Sequence, residues 1–457
     1  MLIRFVFENF LSYKDRNVFS MVAGRVTRHG RHVCDCNGKR ILRSAFVFGA
    51  NAGGKSSFVK ALDFGRRVVM NGVPPTGMDK LHFRICETAN PIGVFQYDIF
   101  TNGKFYSYGF ALDYRNASIV DESLYQIVEE GKEICIFHRL RTDKGEVQIE
   151  TDMNLTAQEK NRFDIYAEDF RGKEMRKEMF LRDIAKRASI QTDFGRDAAS
   201  VVRWFAKMLV IFPETRFIGL PSYMIDRKEK DALVNLMGHF DTGIDDLIQE
   251  EEDVEKFWEQ VPADLRNRLK NDILRDLAKG NGKAVVTVNN GFSTFVFSYL
   301  NGKIVVKKTK EDHGNKKDLF ERSEESDGTI RLFDLVPLYE NWRNGGVVII
   351  DEIDRSLHTK ATQEFVRLFL EDHRALRAQL IATTHDGSLL DLDILRQDEI
   401  WFAERDADKS TTLYSLLKFK ARFDKDVCKE YFLGRYGALP LFDAIEFDEL
   451  EVKGEQN

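Results

Sequence analysis

Cysteine is sparse in this 457-residue chain: five residues, an odd number. A disulfide-stapled scaffold is thereby excluded, and a reducing compartment, the cytoplasm, is expected. Proline is scarce too, at eight, so few positions forbid a helix or strand from continuing. No apolar run approaches the roughly 18 residues that span a bilayer, and no membrane partner is expected. The opening MLIRFVFENF carries Arg4 and Glu8, unlike a secretory leader. Fixed-period repeats, low-complexity tracts and long heptad runs are missing, which sets aside solenoids and extended coiled coils. Neither charge sign dominates: 68 Lys and Arg stand against 74 Asp and Glu, a net charge of −6. A protein that coats nucleic acid with its whole surface is excluded, whereas a local basic patch is not. What is present is apolar material. Hydrophobic residues make up 43% and phenylalanine numbers 36. That is enough for large cores in two or three domain-sized units, and far from the composition of a disordered chain.

The texture changes twice along the chain. Residues 1–150 read mostly as strands. Leu2, Arg4, Val6 and Glu8 alternate with Ile3, Phe5 and Phe7, a period of two. The runs 95–101 and 105–112 flank Asn102-Gly103, a strong hairpin signal. Residues 151–280 are rich in charges at helical spacing (159–187, 203–210, 250–277) and read as a mainly helical insertion. Residues 281–457 begin with strands over 284–308, with an Asn301-Gly302 turn, and continue through a polar loop, 308–326. There follow a helix over 328–342, a strand over 346–351, a helix over 359–371 and a strand over 379–383. That alternation predicts βαβ units on a parallel sheet, an α/β fold.

The strongest motif is Gly49-Ala50-Asn51-Ala52-Gly53-Gly54-Lys55-Ser56, followed by Ser57. It fits G-x-x-x-x-G-K-[ST] between an apolar run and a helix-forming run, the context a P-loop needs. Glycines let backbone N–H groups turn toward phosphate oxygens, and the helix N-terminus adds positive potential. Lys55 is expected on the β- and γ-phosphates and Ser56 on Mg²⁺. Val347-Val348-Ile349-Ile350 reads as a strand buried on both faces and ends in Asp351-Glu352. Asp351 is expected in the Mg²⁺ shell and Glu352 at the attacking water. Ile381-Ala382-Thr383-Thr384-His385 ends the next strand, which puts His385 within reach of a γ-phosphate. Ser326-Asp327-Gly328-Thr329 opens a helix, and such a turn is either a second anion site or an ordinary N-cap.

In this order the motifs resemble ABC-type ATPase heads, as in the SMC, RecF and OLD families. Within these the chain resembles the AAA15 family of "AAA family ATPases". The residues that carry the likeness are Phe10-Leu11-Ser12-Tyr13-Lys14, 48–56, 326–335, 350–357 and Tyr431-Phe432-Leu433-Gly434-Arg435-Tyr436-Gly437-Ala438-Leu439-Pro440. The resemblance implies an α/β, ABC-type P-loop head: a mixed sheet flanked by helices, plus an antiparallel β subdomain and a mainly helical insertion. Residues 1–150 and 281–457 would form its two halves, with 151–280 inserted. It implies paired heads, a homodimer or higher homo-oligomer. ATP and Mg²⁺ would lie between one P-loop and the partner's signature turn, with Ser326 and Gly328 facing the partner's γ-phosphate. Asp354 would lie at the seam, and Gln96 would be the Q-loop glutamine on the metal. Relatives of this kind occur in anti-phage systems (AbiL-type abortive infection, the PARIS ATPase, OLD-like proteins), which implies a separately encoded effector, a nuclease or a toxin. The family turn is Leu-Ser-Gly-Gly-like. Here Glu325 precedes Ser326, and Asp327 replaces the first glycine.

Two further readings stay open: a repair ATPase that clamps DNA, and a scaffold that ATP merely glues together. Basic stretches bear on the first. Arg25, Arg28, Arg31, Lys39, Arg40 and Arg43 cluster in one; Lys303, Lys307, Lys308, Lys310, Lys316 and Lys317 cluster in the other. Either could track phosphates, and neither has the interleaved aromatics of a base-stacking surface. Cys34-x-Cys36 with His29 and His32 lacks the spacing of a zinc site. Asp391-x-Asp393 has no acidic partner motif for a nuclease, so it reads as surface.

Overall fold

The computed structural model describes residues 1–85, 91–129, 131–142, 145–188, 192–215, 227–259, 261–279, 283–288, 293–300, 303–343, 345–372, 377–419 and 426–439. The expected Asn301-Gly302 turn and Pro440 lie outside them. The chain divides into two compact units: Met1–Val210 with Ile349–Asp351 and Gln379–Asn457, and Ile211–Val348 with Glu352–Ala378.

The first unit contains a seven-stranded sheet in the order Val147–Glu150, Lys132–Arg141, Ser118–Glu129, Lys104–Asp113, Ile92–Thr101, Leu2–Glu8, Asn17–Ser20. Every neighbouring pair is antiparallel. Asn102 and Gly103 adopt φ of 51° and 74° between the paired Thr101 and Lys104, the two-residue hairpin expected of Asn-Gly. The abundant phenylalanine gathers beneath the P-loop helix, Lys55–Asn71. Phe5 and Phe7 stack at 4.9 Å, and Phe19 meets Phe58 of that helix at 4.9 Å. Phe10 meets Phe64 at 5.2 Å. Phe58 is fully buried. Replacing it with alanine should cost about 3–5 kcal/mol, because the rigid cluster around it collapses poorly into the gap. A urea-unfolding midpoint no lower than wild type would show that the cluster does not support the helix.

The second sheet runs Leu209–Ile211, Gly346–Ile350, Ala378–Thr383, Ser44–Phe48, Ile400–Arg405, Thr411–Ser415. Ser44–Phe48 is buried along its length and pairs in parallel with Ala378–Thr383 and Ile400–Arg405. Buried β-branched and aromatic runs of this kind are what a sheet covered on both faces requires. The P-loop and Thr383 therefore share the carboxyl edge of the parallel strands, where α/β sheets place ligands. Residues 151–210 add the helices Ala157–Asp169, Phe180–Ala188 and Asp193–Lys207 to this unit. The first is closed by a Thr156–Glu159 capping box.

The second unit holds a four-stranded antiparallel sheet in the order Asp246–Glu252, Lys303–Asp312, Ser293–Leu300, Lys283–Val288. Phe257, Ile273 and Leu277 from two helices, Val254–Glu259 and Ala263–Lys279, and Val261 between them pack on its Ala284, Phe295, Phe297 and Val306. Three expectations are corrected here. Residues 250–252 are strand, not helix, because Glu250 and Glu251 pair across the sheet with Lys308 and Lys307. Opposite charges on facing strands override helical propensity. For the same reason the strand runs on to Asp312 through what reads as a polar loop. The single helix expected over 328–342 is two, Asp327–Leu335 and Leu338–Arg343. The break falls at Pro337, which has no N–H to continue the ladder. Trp342 packs 4.5 Å from Phe369 of the helix Thr359–Glu371.

Candidate functional site

The strand Ser44–Phe48 delivers the chain into the Gly-rich turn, and the turn's shape demands glycine. Gly49 has φ +155°, and a Cβ there would lie 2.4 Å from the Ala403 carbonyl oxygen. Gly54 has φ +103°, and its Cβ would meet the Thr411 side chain at 2.5 Å. Between them Ala50, Asn51, Ala52 and Gly53 close a tight loop in which the Gly53 N–H donates to the Ala50 carbonyl at 3.0 Å. The helix starts at Lys55, so its first turn presents N–H groups at the helix N-terminus, toward the loop. Thr411 also fixes the loop from behind, donating its N–H to the Ser12 carbonyl at 2.8 Å and its hydroxyl to Ser12 Oγ at 2.9 Å. Tyr13 is fully buried and donates to the Gly54 carbonyl at 3.3 Å. Burial pushes its phenol far up, so it stays protonated. The 10–14 segment is thus a buttress for the loop.

Lys55 is 4% exposed. Its Nζ donates to the carbonyls of Gly49 at 2.6 Å and Ala50 at 2.9 Å, and it lies 3.2 Å from His385 Nδ1. An ammonium has no lone pair, so Nδ1 is the acceptor and His385 carries its proton on Nε2. The lysine and the histidine, from different strand ends, are thus brought to one point.

Ser56 and Asp351 are brought together as well. Ser56 Oγ donates to Asp351 Oδ1 at 3.2 Å, and Thr383 Oγ1 donates to the same oxygen at 2.6 Å. Asp351 is 2% exposed. A hydroxyl beside one carboxylate is a hard-oxygen donor set, which suits Mg²⁺ completed by substrate phosphate and water. Thr383 was not singled out from the sequence, although it stands two residues before His385. Thr383→Val keeps its shape and removes the bond that aims Asp351. The Mg²⁺ concentration for half-maximal ATPase should rise roughly tenfold or more. An unchanged Mg²⁺ titration would show that Thr383 does not orient Asp351.

Gln96 stands apart from this set. Its amide donates to Asp98 Oδ1 and Ser107 Oγ, both at 3.0 Å, while Arg4 pairs with Asp98 at 2.6 Å. Its hydrogen bonds go to neighbours on the antiparallel sheet and not to Ser56 or Asp351.

The second unit carries the other named residues. Glu352 has φ 51°, a strained backbone that turns it away from the strand line. Its carboxylate lies 3.8 Å from Arg355, and Arg355 lies 3.9 Å from Glu214. The Glu352 carbonyl accepts from Arg331 at 3.4 Å. Ser326 caps the helix Asp327–Leu335, accepting the Thr329 N–H at 3.1 Å. Gly328 lies close to the post-strand loop: a Cβ would stand 3.0 Å from the Ser356 carbonyl oxygen, so that loop would have to give by a few tenths of an ångström. Signature turn and post-strand loop therefore touch, and Arg331 and Arg355, for which the sequence alone names no role, hold the Glu352 segment. The basic stretches divide. Lys308 and Lys310 pair with Glu321 and Glu250, and Arg43 is buried. Arg25, Arg31, Lys39 and Arg40 are exposed.

Among solved structures, the chain is similar to an Smc head bound to the C-terminal winged-helix domain of ScpA. That match has a TM-score of 0.36 and 13% identity, covering 92% of this chain and 99% of the other. It is similar to an Smc head with an extended coiled coil bound to the C-terminal domain of ScpA, from Pyrococcus furiosus (TM-score 0.33, 12% identity, 92% and 97% covered). A third is an Smc head with a coiled coil and joint from Pyrococcus yayanosii (0.36, 10%, 95% and 99%). No curated protein gives a significant match. The fold is a mixed α/β one, with the Gly-rich loop between the buried strand Ser44–Phe48 and the helix Lys55–Asn71. Residues 44–393, well over half the chain, match the family model AAA_21, described as "AAA domain, putative AbiEii toxin, Type IV TA system", and the chain belongs to this family of AAA-domain ATPases.

Proposed function

We propose that the chain hydrolyses ATP between paired copies of itself and that its nucleotide state controls a separately encoded effector, a toxin or nuclease, in anti-phage defence of the AbiL, PARIS or OLD-like kind. The observation that carries the ATPase reading is the convergence of the Ser56 and Thr383 hydroxyls on one Asp351 carboxylate oxygen, with Lys55 and His385 beside the same loop. Ser56 and Asp351 would hold Mg²⁺, which would supply neutralisation of phosphate charge. The chain's own groups do the rest. The loop N–H groups and Lys55 bind the phosphates. Glu352, aimed by Arg355, accepts a proton from the attacking water, and His385 donates Nε2–H toward the γ-phosphate. Ser326 and Gly328 of a second copy close the site. The toxin–antitoxin description of the family supports the effector reading.

The DNA-clamping reading draws on one observation, the exposed Arg25, Arg31, Lys39 and Arg40 around the hairpin formed by Val33–Cys36 and Lys39–Leu42. Steady-state phosphate release with and without duplex DNA separates the two. Defence control predicts ATP-dependent association of copies with a rate indifferent to DNA. A rate raised severalfold by DNA at low salt, and lost at high salt, would favour the clamp.

A further inference from the structure

The residue before the signature turn differs from the family pattern: Glu325 stands where a leucine is usual. Its side chain is 6% exposed, while Ser326 and Asp327 beside it are exposed. Glu325 is therefore the inward anchor of the turn. Its partner is His313, just beyond the end of the strand Lys303–Asp312, with Nε2 2.6 Å from Glu325 Oε1. The other ring nitrogen faces Gly243: Nδ1 lies 3.4 Å from where a Gly243 Cβ would stand. A carboxylate 2.6 Å from one nitrogen favours the protonated ring, the imidazolium form. The ring's position is set by Phe320, whose centroid is 4.8 Å away. A second brace lies alongside. Arg322 donates from Nε and Nη2 to Glu311 Oε1 at 3.1 and 2.9 Å, and its guanidinium sits 4.1 Å over Phe333 of the signature helix.

We propose that His313 is a positioning residue: as the imidazolium it clamps Glu325 and thereby holds Ser326 and Gly328 in the geometry that a second copy's nucleotide requires. The proposal rests on reading the turn as acting in trans. An apolar anchor, as in the family pattern, would hold the turn at any pH. An ionisable anchor ties the turn's order to a proton. Burial pulls the His313 pKa down, but the hydrogen bond and charge of Glu325, the Gly243 backbone and the charge of Glu311 outweigh it. The net shift is upward from 6.5. The other charged groups around the ring are Asp312, whose Oδ1 accepts the Gly314 N–H at 2.8 Å, Asp245, which donates its N–H to the Asp312 carbonyl at 2.8 Å, and the Glu311–Arg322 pair. Because the folded value is raised, the clamp is complete below the ordinary histidine value and is lost as pH rises through the raised one.

Hydrogen–deuterium exchange on the full chain, from about pH 6 to pH 9 and corrected for the intrinsic rate, reads the clamp without needing a second copy. The probes are the amides of Thr329 and Ile330, bonded to Ser326 Oγ and to the Ser326 carbonyl. In wild type their protection should fall with rising pH. In His313→Gln and Glu325→Gln it should be lower by roughly tenfold at the acid end and flat with pH, the effect of losing a charge-assisted bond. ATP affinity of the P-loop should stay unchanged while kcat drops. Equal protection in wild type and both variants at every pH would overturn the clamp. So would a loss that spreads to Phe297 and Val306 on the sheet, since His313 would then be a fold residue. Failure of the trans reading is separate: it would show as Ser326 variants that associate and turn over normally while the exchange result stands.

Discussion

Lys55→Ala should bind ATP at least about a hundredfold more weakly than wild type while remaining folded, as read by titration of a fluorescent ATP analogue alongside thermal unfolding. The size follows from what the ammonium does. It already draws in two carbonyls and a histidine nitrogen at 2.6–3.2 Å. Exchanging such neutral acceptors for phosphate oxygens makes charge-assisted bonds of about 1.5–3 kcal/mol each. The fold should tolerate the change. The Phe5, Phe7, Phe19 and Phe58 cluster beneath the helix does not include the lysine, and two carbonyls left without Nζ cost about 1–3 kcal/mol each. A folded Lys55→Ala protein with normal affinity would mean that the loop does not bind phosphate.

Glu352→Gln should separate binding from chemistry. The variant keeps the side chain's shape and a hydrogen-bond acceptor but removes the carboxylate proposed to take the proton from water, so turnover should fall about 10²–10⁴-fold. ATP affinity should persist, and an ATP-bound assembly should accumulate, visible by sedimentation. Arg355, 3.8 Å from the carboxylate, makes a graded control. Arg355→Ala should leave binding intact and lower kcat less than Glu352→Gln does, because it disturbs the aim of the base and leaves the base present. Equal phosphate release from wild type and Glu352→Gln would assign the proton to another group.

The parts of this molecule legible in its sequence are those whose chemistry is local. The Gly-rich turn announces itself because Gly49 and Gly54 have no alternative at their φ values and close approaches. The Asn102-Gly103 hairpin does so because only such residues turn that tightly. The buried strands around Ser44–Phe48 read directly as apolar runs. What was not legible depends on long-range pairing. The charges at 250–252 suit a helix until Lys307 and Lys308, more than fifty residues on, face them across a ladder. Thr383 is an ordinary strand threonine until Asp351 arrives beside it. Arg355 and Arg331 lie in stretches that carry the family likeness but were given no role there, His313 lies outside them, and the roles of all three exist only through the groups they meet. Gln96 shows the converse. Its position between the motifs fits the family order, and its amide is spent on Asp98 and Ser107.

Each nucleotide site is proposed to be built from two copies. Mixing two inactive variants tests it. Gly328→Asp is a poor choice for one of them, because the Ser356 carbonyl 3.0 Å from a Cβ there would disturb the subunit's own loop. Ser326→Asp is better: aspartate caps the helix as well as serine does and adds a negative charge facing the partner's phosphate. Lys55→Ala lacks a working P-loop, and Ser326→Asp lacks a working turn. A mixed pair has one site with the Ser326→Asp subunit's P-loop and the Lys55→Ala subunit's turn, both intact. With subunits exchanged at equal concentration, phosphate release should recover to roughly a quarter of the wild-type rate, half the pairs being mixed with one competent site each. No recovery on mixing, together with loss of ATP binding by Ser326→Asp alone, would place the turn in its own subunit's pocket and contradict the two-copy site.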